Sequence, residues 1–82
     1  MMIKFKKVVL MTENKNDYLL YLMRIMANNI KKENNCELEE ININNYEGQY
    51  GMIKEPCILL IKNNKIKNII NGFKYYSKLP KF

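Results

Sequence analysis

Residues 50–65 read YGMIKEPCILLIKNNK, a run in which a proline precedes an apolar stretch and a turn follows it. Residues 57–61 are apolar without interruption, which is typical of a strand buried in a sheet. Asn63 and Asn64 tolerate left-handed backbone angles, so they can close a two-residue hairpin. Pro56 makes the loop before the strand rigid, and X–Pro bonds are the only peptide bonds that adopt the cis form at low cost. The run therefore predicts a rigid loop leading into a β-hairpin.

The first half of the chain predicts a β-α-β unit. Residues 3–11 end in an apolar run that suits a central strand buried on both faces. A helix follows from Asn16 or Asp17, either of which can cap it, and apolar residues recur at helical spacing as far as Ile30. Residues 36–43 form a second strand, and the helical crossover makes the two strands parallel.

The second half predicts a loop, the hairpin and a short C-terminal helix. Residues 44–54 form the loop, which contains two glycines and room for one helical turn. The hairpin strands are residues 57–62 and 66–70, and residues 75–79 make one or two helical turns that Pro80 ends. The sequence thus predicts an α/β fold in which one domain contains a four-stranded mixed sheet.

Length and composition restrict the class of protein. A chain of 82 residues suits a single domain spanning 1–82 with a modest core. The longest apolar run, residues 57–61, is far below the roughly 20 residues of a membrane-spanning helix. The apolar stretch at residues 8–11 is too short for a signal peptide, so we expect a cytoplasmic protein. Cys36 and Cys57 are expected as reduced thiols, and neither a metal site nor a cofactor is expected, since histidine is absent.

The charge pattern leaves two interpretations open. The net charge is +6, and a composition dominated by asparagine, lysine and isoleucine accounts for it without any function. Every charged residue after Glu55 is nevertheless a lysine, which favours an anionic partner such as nucleic acid. Arg24 is the only arginine, and arginine supplies the fork that reads bases and phosphates, so specific base recognition is disfavoured.

The predicted helix is apolar on more than one side. Tyr18, Tyr21 and Ile25 lie off the main apolar stripe. Either they pack within the domain, or they form a surface for a protein partner or for a weak homodimer. The three glutamates Glu37, Glu39 and Glu40 indicate solvated charge rather than acid–base chemistry, because no second set of ligands accompanies them.

Four short motifs, taken in order, resemble the thioredoxin-like superfamily. They are Ile41-Asn42-Ile43-Asn44 at the second strand, Tyr50-Gly51-Met52-Ile53 before the proline, Lys62-Asn63-Asn64-Lys65 at the hairpin, and Gly72 after the last strand. The order β-α-β, loop, proline, hairpin and short helix is also the order of that fold. The resemblance implies a thioredoxin- or glutaredoxin-like architecture with a cis-proline loop at Pro56.

The chain departs from the family where its chemistry resides. The family places Cys-x-x-Cys between the first strand and its helix, and residues 12–19 read TENKNDYL, without sulfur. Disulfide exchange needs a thiolate nucleophile, so the resemblance implies a redox-inactive domain. The segment between Asn44 and Tyr50 is also short, which leaves little room for the family's second helix.

What remains of the family's site is a groove for a peptide. In relatives, the backbone before the cis-proline pairs with an extended peptide, and this binding needs no cysteine. The resemblance places the groove at Asn16, Asp17, Tyr18, Glu55, Pro56 and Cys57.

Two alternatives to this peptide-binding function stay open. Cys57 directly follows the proline and would lie near the family's active site, so it is a weak candidate for a catalytic single thiol in an atypical glutaredoxin-like protein. The other alternative is a basic domain that binds nucleic acid or another polyanion.

Overall fold

The computed structural model describes residues 5–13 and 17–71. These residues form strand β1 (Lys7–Thr12), helix α1 (Asp17–Asn34), and strands β2 (Glu37–Asn42), β3 (Cys57–Lys62) and β4 (Lys65–Ile70). One 3-10 turn (Ile43–Asn45) follows β2. The predicted order of strands and helix is confirmed, although β1 begins at residue 7 rather than 3. The helix predicted at residues 75–79 lies outside the described residues.

The four strands form one mixed sheet in the order β2-β1-β3-β4. β1 is parallel to β2, and Met11 lies opposite Ile41. β3 is antiparallel to β1, with Met11 opposite Cys57, and β4 is antiparallel to β3. The predicted β-α-β unit and hairpin are therefore confirmed, and they join through the pairing of β1 with β3 at the centre of the sheet.

Helix α1 covers one face of the two central strands. The buried side chains of this helix-side cluster are Val8, Leu10, Leu19, Met23, Ala27, Ile58 and Leu60. Leu19, Met23 and Ala27 recur every four residues and therefore line one stripe of the helix.

The loop between β2 and β3 covers the opposite face. The buried residues of this loop-side cluster are Val9, Met11, Cys57, Leu59 and Ile61. Ile43, Tyr46, Tyr50 and Ile53 of the loop pack against them. Because side chains alternate between the faces of a strand, the uninterrupted apolar runs of β1 and β3 supply both clusters.

Asparagines end helix α1 and tie it to β1. Asn35 has a φ of 49°, and the Cys36 amide donates to the Lys31 carbonyl at 3.2 Å, a Schellman-type ending. The side chain of Asn34 donates to the Ile30 carbonyl at 2.8 Å and accepts from the Phe5 amide at 3.2 Å. The end of the helix is thus fixed beside the start of β1.

The hairpin turn has the backbone that the sequence predicts. Asn63 and Asn64 have φ values of 55° and 63°, the left-handed pair that a type I′ turn requires. The register of β3 against β4 shifts between Leu60, which lies opposite Asn68, and Ile61, which lies opposite Ile66. Lys67 is therefore the extra residue of a β-bulge in an edge strand.

Substitutions at Asn64 test this turn. We expect Asn64→Ala to lower the free energy of unfolding by about 1–2 kcal/mol, because a Cβ without a local hydrogen-bonding group disfavours left-handed angles. Asn64→Gly is expected to preserve or raise stability, since glycine has no such penalty. Urea unfolding of the two variants measures the difference, and equal effects of alanine and glycine would contradict the turn geometry.

Candidate functional site

Glu55, Pro56 and Cys57, three residues of the predicted site, lie at the end of the sheet where β1 ends. Cys57 begins β3 opposite Met11, so Glu55 and Pro56 lie at that end. Glu55 is exposed, whereas Pro56 and Cys57 are buried.

The start of α1 belongs to the same end of the sheet. Only four residues separate the end of β1 at Thr12 from Asp17, the first residue of α1. Tyr18 follows and is 70% exposed. Asn16 lies outside the described residues. The fold thus brings Tyr18 and Glu55 to one end of the sheet from positions far apart in the sequence.

The Glu55–Pro56 bond is trans, so the cis-proline expected from the resemblance is wrong. A trans X–Pro bond is favoured by about 0.5–1 kcal/mol unless the surrounding structure requires the cis form. Here the loop turns earlier, at Gly48 and Gly51, which have φ values of 83° and 94° and are joined by a 3.1 Å hydrogen bond. The glycines therefore provide the change of direction before Pro56 is reached.

Cys57 lies on the face of the sheet opposite α1. It belongs to the loop-side cluster and is only 4% exposed. Burial, with a smaller contribution from the Glu55 carboxylate, raises the pKa of the Cys57 thiol to about 11. A reactive cysteine needs the opposite environment, in which positive charge lowers the pKa. The geometry therefore disfavours Cys57 as a catalytic thiol.

The two cysteines are both free thiols, as expected. Cys36 immediately precedes β2, whose first residue Glu37 lies opposite Lys7, whereas Cys57 lies opposite Met11. They are therefore at opposite ends of the sheet, too far apart for a disulfide. Burial also raises the pKa of the half-buried Cys36 thiol, although Lys31 opposes the shift.

The outer face of α1 carries large exposed side chains. Tyr18, Tyr21 and Ile25 are 70%, 61% and 43% exposed, and Met26 is 40% exposed. Packing against the rest of the domain was one of the two interpretations left open by the sequence, and the described residues leave these side chains exposed. We call Tyr18, Tyr21 and Ile25 the outer patch of α1.

Two ion pairs connect α1 and β1 to β2. The Arg24 guanidinium donates to both carboxylate oxygens of Glu40, at 2.7 and 3.0 Å. The Lys7 ammonium lies 3.0 Å from Glu39. The only arginine of the chain is thus engaged within the domain, and two of the three glutamates are paired. Among the described residues, no cluster of acidic or cysteine side chains forms a metal site.

None of the helical residues that the structure describes forms a segment with the length and hydropathy needed to cross a membrane. Comparison with known proteins found no matching family model, no similar curated protein and no similar solved structure. A function for this chain is therefore inferred from its fold and from its exposed surfaces.

The burial of Cys57 predicts a loss of stability at alkaline pH. Its folded pKa of about 11 exceeds the ordinary value of 9.0, so between these values the unfolded thiol loses its proton first. The unfolded state is then favoured, and the free energy of unfolding falls by up to about 2–3 kcal/mol as pH rises from 9 to 11.

Urea unfolding at pH 8, 9, 10 and 11 measures this loss. Cys57→Ala should lose less stability over the same range than the native chain, and Cys36→Ala serves as the control at a half-buried thiol. An identical pH dependence in the native chain and Cys57→Ala would show that Cys57 is not buried.

Proposed function

We propose that this chain is a thioredoxin-like domain without disulfide-exchange chemistry that binds a protein partner through the outer patch of α1. The order β-α-β, loop and hairpin supports the thioredoxin-like assignment, as does a helix packed on one face of a mixed sheet with parallel β1 and β2. The trans bond at Pro56 removes one feature of the family, so the assignment depends on topology rather than on the proline loop.

The main support for partner binding at the outer patch is the exposure of its side chains. Tyr18, Tyr21 and Ile25 follow one another at spacings of three and four residues, which places them within about 60° on the helix and about 10 Å along its axis. Tyrosine is enriched at the centre of protein interfaces because it combines a large apolar ring with a hydroxyl group. A contiguous exposed apolar surface on a small domain is typical of an interaction site.

We infer that the partner presents an apolar groove that complements the outer patch of α1. The patch is a convex ridge with Leu22 half-buried at its side, and ridges of this kind pack into the grooves of another helix or sheet. Tyr18 lies at the same end of the sheet as exposed Glu55. Pro56 is buried and offers the partner no side chain.

The absence of redox chemistry is supported by the position of both thiols. No cysteine precedes α1, and disulfide exchange requires an accessible thiolate. Cys57 has neither access to solvent nor a lowered pKa. Cys36 lies at the other end of the sheet from the start of α1.

Site-specific photo-crosslinking tests the binding proposal. We replace Tyr21 with the photoreactive residue p-benzoylphenylalanine in cells that normally make the protein, and replace exposed Gln49 in the opposite loop as the matched control. The expected result is one protein crosslinked from position 21 and not from position 49. The same crosslink should disappear in Tyr18→Ser/Ile25→Ser, and the purified partner should bind the native chain but not this variant.

The serine variant should remain folded, because substitutions of exposed side chains usually change stability by no more than about 0.5 kcal/mol. Equal crosslinking from positions 21 and 49 would contradict the proposal. Crosslinking from position 21 only to a second copy of the chain would replace it with a homodimer.

A reductase assay tests the other half of the proposal. With dithiothreitol as electron donor, we expect the protein to leave the rate of insulin disulfide reduction at the background level. Iodoacetamide at pH 8 should modify Cys57 only after urea unfolding, because the thiol is buried and protonated. Turnover that disappears in Cys57→Ala would show a single-thiol oxidoreductase instead.

A further inference from the structure

Lysines of β3, β4 and the residue before β1 meet at the end of the sheet where β1 begins. Lys62, the last residue of β3, lies directly opposite Lys65, the first residue of β4. The Lys6 amide donates to the Ile61 carbonyl at 2.8 Å, so Lys6 lies beside the end of β3. Lys67 follows at the bulge of β4. We call Lys6, Lys62, Lys65 and Lys67 the basic corner.

The charge of the basic corner is not neutralised by the described residues. The ion pairs among them join Lys7 to Glu39 and Arg24 to Glu40, and none includes a lysine of the basic corner. Residues 56–71 contain no acidic side chain. Lys6, Lys65 and Lys67 are exposed and Lys62 is half-buried. Ammonium groups gathered in this way create a local positive potential that attracts anions.

Protection of the sheet edge explains two of the four lysines in the basic corner. Lysines and bulges on an edge strand prevent pairing with other chains, and Lys65 and Lys67 on β4 fit that role. Lys62 lies on β3, a central strand, and Lys6 lies beside it, so neither guards an edge. Like charges directly opposite each other also destabilise a strand pair, so the Lys62–Lys65 pair lowers the stability of the hairpin.

We propose that the basic corner binds the phosphate backbone of a nucleic acid without reading its bases. Neighbouring strands lie about 4.8 Å apart, so the lysines of β3 and β4 and Lys6 just before β1 extend over about 10 Å, enough to contact two or three successive phosphates. Lysine is a point charge that binds phosphate without the fork that selects bases, and Arg24 is already engaged with Glu40.

The surroundings of the basic corner favour a nucleic acid over a membrane surface. Peripheral membrane binding combines basic residues with apolar side chains that enter the bilayer. The exposed large apolar residues of the described chain are Tyr18, Tyr21, Ile25, Met26, Met52 and Ile69. Only Ile69 lies near the basic corner, two residues beyond Lys67, and the others lie on α1 or in the loop before β3. One exposed isoleucine is less than the apolar face that peripheral membrane binding uses.

Salt-dependent binding tests the site. Fluorescence anisotropy is measured with a labelled 20-nucleotide single strand between 20 and 200 mM KCl. Four lysine contacts predict that the logarithm of the binding constant falls with the logarithm of salt concentration with a slope of about −3. Lys62→Gln/Lys65→Gln should halve this slope and weaken binding at least tenfold at 20 mM KCl. Lys54→Gln, exposed at the other end of the sheet, should bind as the native chain does.

The variant Lys65→Glu distinguishes an effect on nucleic-acid binding from an effect on the stability of the hairpin. It replaces the like-charge pair with an attractive one, so the midpoint of thermal unfolding should rise while binding to the single strand weakens at least tenfold. A higher midpoint with unchanged binding would overturn the proposal and leave edge protection as the role of Lys65.

Three further results would also overturn the proposal: no saturable binding at 20 mM KCl, an equal loss in Lys54→Gln, or tighter binding to vesicles with 30% anionic lipid than to the single strand. Tyr18→Ser/Ile25→Ser should leave binding to the single strand unchanged. The test of the basic corner is therefore independent of the test of the outer patch of α1.

Discussion

The burial of β1 and β3 on both faces is the constraint on which the rest of the structure depends. Two adjacent strands with uninterrupted apolar runs need a cover on each side, and the described chain has one α-helix to supply it. The second cover is the loop of residues 43–56, which places Ile43, Tyr46 and Tyr50 on the sheet.

A loop used as a covering layer has to satisfy its own polar groups. The Tyr46 hydroxyl accepts from the Tyr50 amide at 2.7 Å and donates to the Gly51 carbonyl at 2.6 Å. One side chain thus closes the loop on itself while its ring packs on the core. Gly48 and Gly51 provide the positive φ angles that this path requires.

The alternation of side chains along β3 decides the chemistry of the cysteine. Cys57 shares a face with Leu59 and Ile61, beneath the loop, whereas Ile58 and Leu60 face α1. A shift of one residue would have placed the thiol under the helix instead. The same pairing of β1 with β3 separates the two proposed surfaces, because the outer patch begins at one end of the sheet and the basic corner occupies the other.

Local patterns of the sequence were enough to predict the order of the strands and α1, the apolar runs of β1 and β3, and the asparagine turn. Each depends on the spacing of apolar residues or on the backbone preferences of a few neighbouring residues.

The residues of the candidate site were predicted less well than the fold. Tyr18, Tyr21 and Ile25 were recognised as lying off the apolar stripe, but whether another part of the chain covers them depends on packing at long range. The trans bond at Pro56 is the form that an X–Pro bond ordinarily takes, and the structure around Pro56 does not require the cis form. The position of Cys57 away from α1 and the meeting of Lys6 with Lys62 and Lys65 were decided only by the tertiary structure, because each depends on contacts between residues distant in the chain.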